Sequence, residues 1–302
     1  MTAVETKPRR YHYDRLLLAY LLLIFAVAFA GAYFGLLYLL VALSHLLIIL
    51  VVVRITGNPP RSPALSWLRW LYPIFLMLPL HYEIETVAFL FYRGATFDSL
   101  ILKWDAWLLR GHPHTYFADA LPGPAWSELF HLLYLSYYFI VFGGLLYAWW
   151  HGRDEYQPGF AAFRRHMFVL MGSFCSYMLV FILLPAAGPL DDRFLRFHDI
   201  GILPPMIDFL YRVADSSGGA FPSSHIGLAV VTYLLLRPSD RKVRFGLIVA
   251  IFGLTISTIY GSFHYAVDAL AGLLSGPVLY YGWYRLYQKL PPENVENPPV
   301  AA

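Results

Sequence analysis

Phe221-Pro222-Ser223-Ser224-His225 and His264-Tyr265-Ala266-Val267-Asp268 place two histidines and an aspartate at the ends of long apolar segments, in a chain of which only 14% of residues are charged. Ionisable side chains beside hydrocarbon are costly and by default functional, each with a partner to be named. Here the natural partners are one another. His264 and Asp268 are four apart, so on a helix they share a face, and the carboxylate can accept a hydrogen bond from one imidazole nitrogen. That fixes the tautomer and leaves the other nitrogen free as a base or nucleophile, the logic of a shortened catalytic triad. His225 can then be the acid that protonates a leaving group. Ser223 and Ser224, at the head of the helix that carries His225, suit an anion pocket built on helix N-terminal amides, and Gly218 and Gly219 just before them permit a close backbone approach.

The elements that must position these groups are membrane spans. The chain is 59% apolar and 18% aromatic with a mean hydropathy of +0.56, far from the ~45–50% apolar and ~25% charged of soluble domains. Its 302 residues predict an all-α polytopic membrane protein with about eight transmembrane helices at ~20 residues each. They fall at 14–34, 36–54, 65–92, 125–150, 160–184, 223–237, 244–263 and 264–285. The whole of 1–302 reads as a single integral membrane domain: N-terminal helices over 1–92, an outer interfacial segment over 93–125, core helices over 125–285 and a cytoplasmic tail over 286–302. Between Leu16 and Val53 only Gly31 and Gly35 suggest where a hairpin turns. The basic start and Ala28-Phe29-Ala30 also resemble a signal peptide with its cleavage site, although an uncleaved anchor is the favoured reading. Residues 1–13 and 290–302 read as loosely ordered ends. Residues 96–110 combine Trp104, Trp107 and other apolar positions with Asp98, Lys103, Asp105 and Arg110 at helical spacing, as in a helix lying in the interface or a covering loop.

A formal charge of +3 gives no argument for nucleic acid as a partner, and Cys175, the only cysteine, excludes an intrachain disulfide. Sixteen of the 22 lysines and arginines fall on one side of the predicted topology, leaving Arg93, Lys103, Arg110, Arg193, Arg196 and Arg212 on the other. The positive-inside rule then predicts both termini in the cytoplasm and the segment 185–222, His225 and His264 on the outer side. The helix from Ser224 to Leu236, at ~1.5 Å per residue, spans ~20 Å of a ~30 Å core, so the site is expected to be recessed.

Pro222-Ser223-Ser224-His225, then Ser257-Thr258, then His264-x-x-x-Asp268, resembles the signature of the type-2 phosphatidic acid phosphatase superfamily, Pro-Ser-Gly-His followed by Ser-Arg-x5-His-x3-Asp. The resemblance covers about 185–272 and implies a six-helix-type phosphatase or phosphotransferase core. It implies that His264 attacks phosphorus to form a phosphohistidine, that Asp268 orients it and that His225 protonates the departing alkoxide, with no metal or other cofactor. The family's arginine before the second histidine would fall at Thr258, and a Lys-x6-Arg-Pro element is missing. Pro185-Ala186-Ala187-Gly188-Pro189-Leu190-Asp191-Asp192-Arg193 and Asp105-x5-Gly111-x-Pro113 are more similar to the inositol phosphorylceramide synthase branch, which transfers a phosphorylated head group to a lipid alcohol. The resemblance thus implies a lipid phosphate or phospholipid as substrate, and water or a lipid hydroxyl as acceptor. Something must neutralise the phosphoryl oxygens; Arg193 is the first candidate, then Arg212, then Arg196, each equally readable as an interfacial arginine facing lipid phosphates.

Two other classes stand beside this reading. His225, His264 and Asp268 would make a plausible first shell for a metal-dependent intramembrane hydrolase. His81, Glu83 and Glu85 inside the third span would suit a transporter's polar site, or a hydrogen-bonded cluster joining helices. His45, His81, His131 and His166 read individually as structural, and Tyr134, Tyr137, Tyr138, Trp149 and Trp150 as interface belt and packing.

Overall fold

Long apolar segments with no internal donors but their own backbone must close every N–H and C=O locally, and this chain does so as helices. A computed structural model describes residues 10–58, 62–151, 161–197, 200–214, 218–236 and 241–293. Among them run α1 (His12–Gly31), α2 (Leu36–Gly57), α3 (Pro63–Tyr82), α4 (Ile84–Tyr92), α5 (Asp98–Leu109), α6 (Pro113–Ala120), α7 (Pro124–His151), α8 (Ala161–Leu183), α9 (Leu190–Phe197), α10 (Leu203–Ala214), α11 (Ser224–Leu236), α12 (Arg241–Tyr260) and α13 (Ala266–Lys289). No strand occurs among the described residues; a single bridge pairs Ala186 with Gly219.

Among the described residues six segments are long and apolar enough to cross a membrane: His12–Phe34, Leu36–Gly57, Ala64–Tyr92, Pro124–Trp149, Ala161–Leu183 and Arg241–Tyr260. The protein is an integral, all-α polytopic membrane protein. The other two expected spans are of a different kind. α11 has only 13 residues, and α13, though 24 residues long, carries Asp268, Ser275 and a proline at Pro277. The third expected span divides at Glu83 into α3 and α4, after Pro73 and Pro79 within α3. Proline removes a ladder donor and crowds the preceding turn. Outward-facing Leu36, Leu40, Leu43, Leu47 and Leu50 of α2 and Phe245, Phe252 of α12 are exposed, as hydrocarbon solvent allows.

α8 sits in the middle. It is buried on nearly every face and packs against α1, α3, α4, α7, α11 and α13, the pattern of a helix apolar all round; Cys175 is one of its buried residues. α11 and α13 approach closely because Gly272 and Gly276 have no side chain. A Cβ at Gly272 would lie 2.6 Å from the Ser223 carbonyl oxygen, and one at Gly276 2.9 Å from that of Gly227. Small residues four apart let membrane helices bring their backbones together, and here they hold the start of α11 against the start of α13. The expected loose ends are partly tied down: α1 begins at His12, whose ring bonds the Pro291 carbonyl at 3.0 Å, and Glu293 pairs with Arg164 at 2.6 Å. The remainder of both tails, 1–9 and 294–302, lies outside the described residues.

Candidate active site

Both histidine motifs reach one end of the bundle, and their rings are 6.0 Å apart. His264 ends the turn between α12 and α13; its N–H, like that of Phe263, donates to the Thr258 carbonyl. Thr258, where the cation of the second motif was missing, is therefore a buried turn anchor. His264 is 2% exposed and neither ring nitrogen has a hydrogen-bond partner. Its Nδ1 lies 3.7 Å from Asp268 Oδ2, beyond hydrogen-bond range but of the length that tightens on substrate binding. Asp268 is fully buried; its Oδ2 accepts the Tyr265 N–H at 2.8 Å, and its Oδ1 is bare.

The head of α11 differs from the expected anion pocket in one respect. The Ser223 N–H donates to the Asp268 carbonyl at 3.0 Å, so that amide joins the two motifs and is not available to a phosphate. Ser223 Oγ remains buried without a partner, and Ser224 lines a cavity of about 150 Å³ together with His225. The first amides of α11 lack intrahelical acceptors, as at any helix start. The cavity's other walls are mostly apolar, from α3 (Ile74, Met77, Leu78, His81), α7 (Tyr134, Leu135, Tyr137, Tyr138, Phe142), α8 (Phe174) and α10 (Ile207, Tyr211).

The aromatic residues of α7 are more than a belt. Tyr134 is 1% exposed, and its hydroxyl lies 3.1 Å from His225 Nε2 and 3.2 Å from the Tyr211 hydroxyl. Tyr137 meets the same imidazole edge to face at 4.5 Å. A signal existed in the sequence: His131, Tyr134 and Tyr137 recur at a helical spacing of three, so they share a face of α7. Tyr134 also stacks on Phe263 at 3.8 Å, the residue before His264, and the Arg193 guanidinium lies over two rings of the same cluster, 4.1 Å from Phe263 and 4.6 Å from Tyr211.

Arg193 is the largest fully buried side chain described. It forms an ion pair with Asp208 of α10 while its Nε and Nη1 have no partner. Arg196 instead pairs with Asp119 of α6, and the Arg212 side chain lies outside the described residues. The trio His81, Glu83 and Glu85 does not form one polar site. His81 faces the His225 cavity, Glu83 pairs with His45 of α2 at 3.1 Å, and Glu85 lines a separate hollow beside Pro185. Among the described residues no three His, Cys, Asp or Glu side chains converge to hold a metal ion.

Behind the site, the interfacial segment forms α5 and α6. Asp105 is fully buried and its Oδ1 accepts the Val267 N–H at 2.8 Å; burial raises its pKa from the usual carboxylate value. His114 packs on Tyr265 at 5.0 Å, with Asp192 at 3.5 Å and Asp105 at 3.9 Å. Burial lowers its pKa to about 4, against the opposing pull of Asp192.

The family model of the PAP2 superfamily matches residues 99–281, which includes every residue of both histidine motifs. No curated protein and no solved structure matches the chain. α1 to α4 lie before the matched region.

Proposed function

The chain belongs to the PAP2 superfamily, and we propose that it moves a phosphoryl or phosphodiester group from a lipid phosphate or phospholipid by way of a phosphohistidine on His264. Membership assigns phosphatase or phosphotransferase chemistry on a lipid phosphate; the residues, the acceptor and the sidedness are the proposed part. The carrying observation is the His264 ring, bare at both nitrogens, with the Asp268 carboxylate 3.7 Å behind it and the His225 ring 6.0 Å away. In the first step a His264 nitrogen bonds to phosphorus as the bond to the leaving oxygen breaks, and His225 gives that alkoxide its proton. In the second, neutral His225 takes the proton of water or a lipid hydroxyl, whose oxygen displaces His264. Ser223, Ser224 and the free donors of Arg193 suit the phosphoryl oxygens, and a buried charge is worth more there than in water.

The apolar cavity beside His225 supports a lipid substrate, since its flank is formed by exposed Leu78, Tyr138 and Phe142. The acceptor we favour is a lipid hydroxyl, because the departures at Thr258 and the Gly188-Pro189 and Asp105-to-Pro113 segments point toward head-group transfer and a recessed site limits bulk water. The test supplies labelled phospholipid donor to purified protein with and without diacylglycerol or ceramide. Label should appear in new lipid when the acceptor is added. If water-derived product accounts for nearly all turnover with every acceptor, the transferase reading fails and a lipid phosphate phosphatase remains.

The basic-residue bias supports cytoplasmic termini and a site on the outer side. Cys175 is buried, so an added cysteine can be read against a quiet background. Asp191→Cys should react with a membrane-impermeant thiol reagent in intact cells and Arg241→Cys should not; the reverse pattern overturns the placement.

A further inference from the structure

The two motifs are joined to each other through α5, a helix that contributes nothing to the cavity. Asp98, its first residue, accepts the Ala187 N–H at 2.9 Å on one carboxylate oxygen and the Gly188 N–H at 2.8 Å on the other. The held segment passes the restraint on. The Ala186 N–H donates to the Gly218 carbonyl at 3.1 Å and the Ala220 N–H returns to the Ala186 carbonyl at 2.9 Å, immediately before Phe221-Pro222-Ser223-Ser224-His225. Gly188, at φ +78°, sits where a Cβ would be 3.2 Å from the Phe263 carbonyl oxygen, so the same strap abuts the residue before His264.

Seven residues on, two turns along the same face of α5, Asp105 accepts the Val267 N–H at the start of α13. The next residue is Asp268, whose carbonyl accepts the Ser223 N–H. The hydrogen bonds therefore close a ring: α5 to the strap, strap to the His225 segment, that segment to Asp268, and the start of α13 back to α5. Around the helix from these carboxylates, Trp104, Trp107 and Leu108 are exposed, as expected of a face lying in the membrane interface.

We infer that Asp98 and Asp105 are positioning residues of the phosphotransfer site, setting the spacing of the His225 and His264 motifs from a helix seated in the interface. The inference rests on the reading of those motifs given above. Neither carboxylate touches the cavity, so their loss should lower kcat and leave KM nearly unchanged. A small displacement of reacting groups costs up to ~100-fold in rate.

The number of oxygens each residue uses gives the discriminating measurement. Asp105 serves the Val267 N–H with one oxygen, so Asp105→Asn should keep most of the wild-type kcat while Asp105→Ala loses about 10- to 100-fold. Asp98 uses both oxygens, so Asp98→Asn should fall between wild type and Asp98→Ala. All four variants are assayed as purified full-length protein, per folded molecule, with thermal unfolding measured in parallel. An Asp105→Asn protein as inactive as Asp105→Ala overturns the positioning role, as does an alanine effect that appears in KM or only in stability. If Asp105→Ala fails to fold, the order Asp98→Asn before Asp98→Ala decides the matter alone. His264→Ala serves as control: activity in that variant condemns the assignment of the site itself, whatever the α5 variants do.

Discussion

Asp14 and Asp268 occupy the same local structure at opposite ends of the bundle, and their surroundings differ completely. Each is the third residue of a helix that opens after a tyrosine, and each reaches back to that tyrosine's N–H, at 2.7 Å for Tyr11 and 2.8 Å for Tyr265. This is the reciprocal cap that an acidic residue at that position makes. Both aspartates are fully buried. Asp14 is then saturated: Arg69 donates at 2.9 and 2.5 Å and Tyr72 at 2.7 Å. Asp268 keeps one bare oxygen and faces an unpartnered imidazole. A buried carboxylate whose lone pairs are filled by its own protein is a structural joint, here tying α1 to α3. One left open in the same setting is costly unless something else completes it, and Ser223, His264 and Arg193 also carry buried polar atoms without a partner.

The contrast predicts a separation of effects. His264→Ala should abolish turnover, His225→Ala should cost on the order of 10²–10⁴-fold, and Asp268→Ala less than His264→Ala, while unfolding of the Asp268 variant shifts by no more than the ~1 kcal/mol of a lost cap. Asp14→Ala should do the opposite. It strands the Arg69 guanidinium in the bundle, a loss of about 3–5 kcal/mol for one partner of a buried pair, with unchanged kcat per folded molecule. Activity and chemical or thermal unfolding of the same preparations give both numbers. A stable, slow Asp14→Ala protein, or an unstable but fully active Asp268→Ala protein, would dissolve the distinction.

Arg193 combines the two conditions and so sharpens the comparison. One side of its guanidinium is filled by Asp208 and by the faces of Phe263 and Tyr211; Nε and Nη1 are open. Arg193→Lys keeps the charge and loses the planar fork and the stacking. Its turnover is expected to fall about tenfold or more, the size of one charge-assisted hydrogen bond, with KM for the lipid rising less than kcat falls. Wild-type kcat in the lysine variant would reduce Arg193 to a packing residue.

Much of this arrangement is legible in the sequence. Apolar length located eight helical segments, and the spacing of His264 and Asp268 brought the two side chains to 3.7 Å, although His264 lies in the turn before α13 and not on a helix face shared with Asp268. His225 met His264 because their motifs lie at the same end of an inward and outward pair of helices. Other parts depend on contacts that no periodicity encodes. Tyr134 is 91 residues from His225, and Asp98 is 89 from Ala187. An aromatic in a membrane helix has the same local pattern whether it faces lipid, a packed neighbour or a catalytic imidazole. The division at Glu83 has no sequence signature for a related reason: Pro79 is compatible with a kinked continuous span, and only the pairing of Glu83 with His45 shows where the polar joint lies. Arg193 was readable as a candidate cation, whereas its Asp208 counter-charge was visible only in three dimensions.

His114 offers the smallest effect and the strictest control on reasoning from bare atoms. Its Nδ1 is buried without a hydrogen bond, like His264, but its ring lies behind Tyr265 and outside the cavity. The neighbouring ionisable groups are Asp105, Asp192, His112 and Arg196. With its pKa lowered to about 4 from 6.5 by burial, folded His114 stays neutral where the unfolded chain would already take up a proton. The stability that neutrality represents is therefore complete above about pH 6.5 and is lost as the pH falls through about 4. Wild-type protein in detergent should lose thermal stability across that window more steeply than His114→Gln, which cannot titrate, and the two should have similar kcat at pH 7. Parallel melting curves would mean that His114 is already protonated or solvated in the folded protein. A large loss of kcat at pH 7 in the glutamine variant would show that an unfilled nitrogen acts on the chemistry even from behind Tyr265, and the line drawn between Asp14 and Asp268 would then have to run through α6 as well.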